Sequence, residues 1–207
     1  MSIIVTTISH AGIVVSADTR CVKDGKPLES QFRKILPIRN DLVAFGAGYA
    51  EGVSLFFHKI SKTSDLFRFC EYDYYYNLMK EFREEVFENE NIRHISGKIG
   101  ICGLHNGYAR YTVVDFDSDN LTQRIEDKYF WLKELNEIQI NIIPPKDSSI
   151  EECLQIVRDT HPKLSIPPSI AEMSKICENL IKEIANRSIY VGEPITTWVY
   201  NSGVFHL

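Results

Sequence analysis

Residues Ser2–Asp18, SIIVTTISHAGIVVSAD, are the most informative stretch of this 207-residue chain. Two apolar runs in this stretch flank a tight turn at His10–Gly12. Short apolar runs bounded by turn residues are typical of buried strands. We therefore predict strands at 3–9 and 12–17, with the carboxylate of Asp18 placed where the second strand ends.

Ser2 is a candidate nucleophile because it directly follows Met1. If Met1 is removed, Ser2 presents a hydroxyl and a free α-amine on one residue. The α-amine has an ordinary pKa near ~7.7–8.0, so it can accept a proton at neutral pH. Nucleophile and general base then belong to the same residue, as in the form of nucleophilic catalysis that uses an N-terminal hydroxyl. A Ser after Met usually reflects ordinary processing, so further features must support this interpretation.

Three further features follow Ser2 at fixed spacings. Asp18 lies sixteen residues after Ser2, and Lys34 lies sixteen residues after Asp18. The turn Gly46-Ala47-Gly48 then ends the apolar run Leu42–Phe45. Taken alone, an Asp at a strand end is usually a turn residue, a lone Lys is usually solvated, and Gly-Ala-Gly is usually a turn. Their common register favours a functional interpretation.

This register resembles the proteasome β-subunit family and its bacterial relatives. In that family an N-terminal Thr precedes a G-V-V-x-A-x-D-x-R segment, a Lys before an apolar strand, and an Ala-Gly turn that opens a helix. The matching residues here are Gly12–Arg20, Lys34 and Ala47-Gly48, in one ungapped register. Further along the chain, Lys98–Asp115 resembles the central hairpin of the family, and Gly192–Tyr200 resembles its closing strand.

The rest of the chain predicts blocks of strands and helices. Strands are expected at 33–38, 41–46, 98–104, 107–115, 126–133, 195–200 and 203–206, and a turn at Asp24-Gly25. Helices are expected at 49–60, at 71–90, from Ser148 or Ser149, and from Pro167-Pro168-Ser169 to about Arg187. This pattern alone indicates an α+β class. The resemblance implies a four-layer α-β-β-α sandwich, formed by residues 1–207 as a single domain.

The apolar residues of the helix predicted at 71–90 recur at spacings of three and four. Such spacing places them on one face of the helix, which indicates packing rather than ligand binding. The residues on this face are Tyr72, Tyr75, Met79, Phe82 and Val86.

The resemblance also implies a role for each matched residue. The Ser2 hydroxyl attacks an amide carbonyl, and its own amine takes the proton. Lys34 lies beside Ser2 and lowers the pKa of the amine, because a neighbouring ammonium disfavours a second positive charge. Asp18 pairs with Lys34 and holds it in place. The backbone N–H of Gly48, at a helix start, stabilises the negative charge on the substrate oxygen.

A substrate pocket is implied by the same register, and none of its residues is charged. A large apolar or aromatic group would fit such a pocket, whereas a buried Lys or Arg side chain would find no partner. The alternative is that these positions are ordinary core residues. The six residues are Cys21, Phe32, Leu36, Gly46, Ala50 and Ser54.

The chain departs from the family pattern in three places. Its nucleophile is Ser rather than Thr, and so lacks the methyl group that restricts the rotamer. The Gly-Ser-Gly turn that precedes a helix in the family corresponds to Pro144–Ser149. In the family's R-D-x-x-S-G segment, Ser188 replaces the Asp and Val191 replaces the Ser. The residues that support the nucleophile are therefore altered on one side.

Composition argues against several other functions. A net charge of −5 is not that of a nucleic-acid-binding surface. No apolar run approaches the ~18–20 residues that span a membrane, and the N-terminus lacks the features of a signal peptide. Five cysteines without CxxC or Cys/His metal spacing indicate reduced thiols, and we expect a cytoplasmic protein with no metal and no cofactor.

Three functional hypotheses follow. The first is a peptidase in a homo-oligomeric ring or stack of rings, with Ser2 facing the chamber and an unknown unfoldase as a possible partner. The second is an amidase or acylase that acts on a small molecule with the same nucleophile. The third is a non-catalytic assembly subunit, which applies if Met1 is retained. We expect no propeptide, because no long extension precedes Ser2 and loss of Met1 alone would expose it.

Overall fold

The structure, a computed structural model, describes residues 2–23, 26–64, 71–89, 92, 95–116, 125–163 and 168–202. Chain contacts divide it into two compact units, residues 1–35 with 130–207 and residues 36–129. In chain order the elements are β1 (Ile4–Ser9), β2 (Gly12–Asp18), β3 (Arg20–Lys23), β4 (Lys26–Gln31), β5 (Ile35–Arg39), β6 (Leu42–Gly48), α1 (Ala50–Ser64), α2 (Tyr72–Glu88), β7 (Gly97–His105), β8 (Tyr108–Phe116), β9 (Ile125–Trp131), β10 (Gln139–Ile143), α3 (Ile150–Thr160), α4 (Ile170–Ala185) and β11 (Ile195–Asn201).

The first unit contains a four-stranded sheet in the order β10-β1-β2-β11. All three pairings are antiparallel, and every residue of β1 and β2 is buried. Helix α4 packs against β1, β2 and β11, and α3 packs against α4 and β10. The apolar core between helices and sheet includes Ile3, Val14, Cys177, Leu180 and Val191. The sheet therefore places the N-terminal residues, at the start of β1, beside the end of β2.

Both helices of this unit begin at a serine that caps the first turn. Ser149 accepts a hydrogen bond from the Glu152 N–H at 3.1 Å, and Glu152 accepts one from the Ser149 N–H at 2.7 Å. Ser169 and Glu172 form the same reciprocal arrangement at the start of α4. Capping boxes of this kind satisfy N–H groups that lack partners inside the helix. They confirm the predicted starts of α3 and α4.

The second unit contains a five-stranded sheet in the order β5-β6-β7-β8-β9, with α1 and α2 packed against it. Strands β6, β7 and β8 pair antiparallel over their full lengths. The predicted apolar face of α2 is buried, which confirms its assignment to packing; it consists of Tyr72, Tyr75, Met79, Phe82 and Val86. Unit two is therefore a helix-covered antiparallel sheet, as unit one is.

Three strands were absent from the prediction. The two-stranded ribbon β3–β4 lies between β2 and β5 in the chain, where only a turn was expected, and β10 pairs with β1 where no strand was expected.

The predicted strand 203–206 and the Asp24-Gly25 turn lie outside the described residues. The assignment of residues 1–207 to a single domain stays a prediction. In the part of the chain that is described, no helix has the length and apolar character needed to cross a membrane.

Candidate active site

The centre of the candidate site is an ion pair between Asp18 and Lys34. Lys34 Nζ donates a hydrogen bond to Asp18 Oδ2 at 2.8 Å and another to the backbone carbonyl of Arg20 at 2.8 Å. Asp18 is completely buried and the Lys34 side chain is 3% exposed. Two charges removed from water in this way are costly unless their hydrogen bonds are satisfied.

The remaining acceptor sites of the Asp18 carboxylate are filled by backbone N–H groups. Oδ1 accepts from the N–H of Ile3 at 3.0 Å, and Oδ2 accepts from the N–H of Arg20 at 3.1 Å. The carboxylate thus joins the start of β1, the end of β2 and the lysine. This geometry gives the buried charge three donors.

The ribbon β3–β4 explains why residues sixteen apart in sequence meet. It leaves the end of β2 and returns, with Arg20 opposite Gln31. The N–H of Phe32 then donates to the carbonyl of Thr19 at 2.8 Å. Lys34 follows two residues later and lies beside Asp18 for this reason.

Burial shifts the pKa of each partner in the direction that favours its neutral form, upwards for Asp18 and downwards for Lys34. Desolvation raises the pKa of Asp18, and attraction to Lys34 with three hydrogen bonds opposes this rise. Desolvation lowers the pKa of Lys34, and attraction to Asp18 opposes this fall. The positive charge of Arg20 lowers the pKa of Lys34 further. Opposing shifts of this kind in a buried pair are typical of functional sites, although structural ion pairs also show them.

Ser2 directly precedes a residue that binds this carboxylate. It is 5% exposed, and it directly precedes Ile3, whose N–H binds Asp18 Oδ1. The structure therefore places Ser2, Asp18 and Lys34 in the same unit, with Ser2 next to the residue that contacts Asp18. Met1 lies outside the described residues.

Gly48 belongs to the second unit, where it ends β6 one residue before Tyr49 and two before the start of α1. Its φ is +125°, and a Cβ at this position would lie 2.6 Å from the carbonyl oxygen of Ser96. The N–H of Tyr49 donates to the same oxygen at 3.0 Å. Only glycine combines this φ with so close an approach. Residues 46–48, predicted as a turn, instead form the end of β6, and the helix begins two residues later. The role of Gly48 in oxyanion binding stays a prediction.

The six predicted pocket residues are divided between the units. Cys21 and Phe32 are half-buried in the first unit. Leu36 is half-buried on β5, Gly46 is buried on β6, Ala50 is half-buried at the start of α1 and Ser54 is exposed one turn later. A Cβ on Gly46 would lie 2.7 Å from the side chain of Val53, so this glycine allows α1 to pack closely on β6. The pocket itself stays a prediction.

Several contacts near the ion pair were not predicted from the sequence. Pro194 O accepts from both the N–H and the hydroxyl of Thr19, at 3.1 and 2.9 Å. The guanidinium of Arg20 lies so close to Gly192 that a Cβ there would overlap it. Ser188 donates to Asp147 at 2.8 Å. Residues 192–194 therefore pack against the segment that follows Asp18.

Metal binding has no structural support in the described parts of the chain. No group of three or more His, Cys, Asp or Glu side chains there could hold a metal ion. The cysteines described, Cys21, Cys102, Cys153 and Cys177, are free thiols.

Comparison with known proteins gives a likeness of structure rather than of sequence. No protein-family model matches the chain, and no curated protein matches it in sequence. Among solved structures, eukaryotic HslV from Trypanosoma brucei is similar to it with a TM-score of 0.65 and 12% sequence identity. The match covers 96% of this chain and 99% of that chain. HslV has the proteasome-type fold of N-terminal-nucleophile hydrolases. The fold class is therefore confirmed as an α+β, four-layer α-β-β-α sandwich, and the resemblance seen in the sequence holds for the fold: this chain has an HslV-like, proteasome-type fold.

Proposed function

We propose that this chain is a proteasome-like peptidase that uses Ser2 as an N-terminal nucleophile after removal of Met1. The observation that carries the proposal is the buried ion pair of Asp18 and Lys34 at the start of β1. A buried ion pair adds little to stability compared with apolar side chains of the same size. Catalysis accounts for a buried ion pair near a serine whose hydroxyl belongs to the N-terminal residue once Met1 is removed.

The ammonium of Lys34 prepares the base in this proposal. Once Met1 is absent, the α-amine of Ser2 lies beside Lys34, and repulsion between two positive charges lowers the pKa of the amine below its ordinary ~7.7–8.0. Asp18 keeps Lys34 charged and oriented, which burial alone would oppose. The amine is then neutral and able to accept a proton at physiological pH.

The reaction proceeds in two steps. The amine takes the proton of the Ser2 hydroxyl while the oxygen attacks the amide carbonyl, and the Gly48 N–H donates to the negatively charged oxygen that forms. The resulting ammonium protonates the leaving nitrogen as the C–N bond breaks, which leaves an ester on Ser2. Water, deprotonated by the same amine, attacks the ester and releases the acid.

The peptidase function includes assembly of several copies of the chain. Subunits of the resembled family bury the helical faces that correspond to 49–60 and 71–90 against neighbouring subunits. We therefore expect a homo-oligomer, as a ring or stacked rings, in the cytoplasm. Light scattering at micromolar concentration tests this: a strictly monomeric chain that still hydrolyses amides would instead be a small-molecule amidase or acylase.

Active-site labelling tests the nucleophile itself. An electrophile that reacts with N-terminal hydroxyls should form one adduct, on Ser2, and Ser2→Ala should abolish both the adduct and hydrolysis. A chain isolated with Met1 in place carries a blocked amine. Together with absent activity, that result would favour the non-catalytic assembly subunit.

A further inference from the structure

The hydroxyl of Ser188 has a defined orientation set by Asp147. Ser188 lies just after α4 and is 4% exposed, whereas Asp147 is exposed in the turn before α3. The Ser188 Oγ donates to Asp147 Oδ1 at 2.8 Å and accepts from the N–H of Tyr190 at 3.1 Å. Because the hydroxyl donates its hydrogen bond to the carboxylate, its oxygen is free to accept from the N–H of Tyr190. The pair fixes the turn that follows α4.

This turn leads directly into the candidate site. Val191 is fully buried in the same apolar cluster as Ile3, and Gly192 lies against the guanidinium of Arg20. Pro194 O accepts two hydrogen bonds from Thr19. Residues 192–194 therefore contact Thr19 and Arg20, the two residues that follow Asp18.

Arg20 connects the turn to the lysine. Its carbonyl accepts from Lys34 Nζ at 2.8 Å, and its N–H donates to Asp18 Oδ2 at 3.1 Å. A shift of Gly192 would move the Arg20 side chain, and with it the carbonyl that holds Lys34. The position of the ammonium thus depends on the turn that Ser188 fixes.

The pair also bears on one departure from the family pattern. The resemblance implies an Asp at 188, where this chain has Ser188, while the turn at 144–149 keeps hydroxyls at Ser148 and Ser149 and adds Asp147. A carboxylate is therefore still present beside residue 188, hydrogen-bonded to its hydroxyl. The apparent loss of a supporting residue is therefore compensated.

We propose that Asp147 and Ser188 are a positioning pair that holds Lys34 through the 188–194 turn and Arg20. This inference rests on the proposed function, because Lys34 is positioned for Ser2. Neither residue of the pair touches the substrate. Both act through the backbone that surrounds the ion pair.

Four variants test the pair in a fluorogenic amide assay on the full chain. Asp147→Ala and Ser188→Ala should each lower kcat about tenfold, the effect of about 1.4 kcal/mol, with KM unchanged. Asp147→Asn should recover most of this loss, because its amide oxygen still accepts from Ser188. The exchange variant Asp147→Ser/Ser188→Asp should recover most of it as well, because it restores the same hydrogen bond in reverse.

The pH profile separates positioning from loss of stability. When Lys34 moves away from the amine, its repulsion weakens, so the acid limb of kcat/KM should shift to higher pH in Asp147→Ala. Ser149→Ala is the matched control. It lies two residues away in the same turn and removes the α3 capping box, so it should lower the melting temperature without moving the acid limb.

The outcomes distinguish this inference from the function on which it rests. If the wild-type chain hydrolyses amides and Asp147→Ala keeps the wild-type kcat and acid limb, the positioning role is wrong. The same holds if the exchange variant is no better than folded Asp147→Ala, or if Ser149→Ala shifts the acid limb equally. A wild-type chain with neither activity nor a Ser2 adduct contradicts the proposed function, and with it any positioning role.

Discussion

Lys34 and Asp18 form an ion pair across 2.8 Å in which neither side chain has appreciable contact with water. Asp18 also binds the backbone of Ile3 and Arg20, and Lys34 binds the carbonyl of Arg20. The pair thereby joins the N-terminus, the end of β2 and the segment before β5. Both the stability of the first unit and the proposed chemistry depend on it.

The first prediction concerns stability. Lys34→Met should lower the free energy of unfolding by about 3–5 kcal/mol, because it leaves the buried Asp18 carboxylate without its counter-charge. Asp18→Asn/Lys34→Met should recover much of this loss, since no charge is then buried. Urea unfolding of the three proteins measures both effects. A single variant as stable as the wild type would show that the pair is not buried as described.

The second prediction is the pH dependence of that variant. Desolvation raises the pKa of Asp18, and Lys34→Met removes the main opposing interaction. An unfolded Asp ionises near ~3.9, so between that value and the higher folded pKa the folded state binds more protons. The free energy of unfolding of Lys34→Met should therefore fall as pH rises through this window. Asp18→Asn/Lys34→Met should lack this dependence, and an equal slope in both would assign it to another group.

The third prediction concerns the lysine in catalysis. Lys34→Ala should abolish hydrolysis, and Lys34→Arg should not restore it, because a planar guanidinium cannot replace a compact ammonium beside the amine. Circular dichroism must show that Lys34→Arg is folded. Activity of folded Lys34→Arg close to the wild-type value would mean that any positive charge suffices, and the proposed geometry would need revision.

The sequence correctly predicted the elements whose sequence signal lies within the element itself. The hairpin of β1 and β2 contains two short apolar runs on either side of a tight turn, and the serines at 149 and 169 cap their helices through glutamates three residues later. Periodicity alone identified the buried face of α2. In each case the residues that form the element also contain the evidence for it.

Elements that depend on distant contacts were missed because the residues that form them carry no local signal. All six residues of β4, KPLESQ, are exposed, and one is a proline, so no apolar alternation marks the strand. Strand β10 has five residues and lies at the sheet edge, where pairing with β1 defines it. The contact between Asp147 and Ser188 joins residues 41 apart through the packing of α3 and α4. The Asp18–Lys34 contact was anticipated only because their register matched a known family.

The fourth prediction compares two glycines with positive φ in the second unit. Gly48→Ala adds a Cβ 2.5 Å from Gly97 Cα, whereas Gly107→Ala, at φ +85°, adds one in open space. Gly107→Ala should cost only the conformational strain of about 1–2 kcal/mol, and Gly48→Ala should cost more because backbone atoms must move. Equal unfolding free energies in the two variants would contradict the close approach at Gly48.

The fifth prediction is substrate preference. None of the six proposed pocket residues is charged, so amides with Leu or Phe before the scissile bond should be cleaved faster than those with Lys, Arg, Asp or Glu. A panel of fluorogenic amides that differ only at this residue measures kcat/KM for each. Preference for a charged residue would show that the proposed pocket is wrong.

The central claim, that Ser2 is an N-terminal nucleophile, is tested most directly by intact mass and peptide mapping after labelling. The chain is isolated from its native host and treated with an electrophile that reacts with N-terminal hydroxyls, with Ser2→Ala as the control. We predict a mass without Met1 that gains one adduct, mapped to Ser2, and no adduct in Ser2→Ala, whose kcat should fall by roughly 10⁶-fold as in a serine protease without its nucleophile. A chain that retains Met1, an adduct on another residue, or undiminished hydrolysis by Ser2→Ala would contradict the claim.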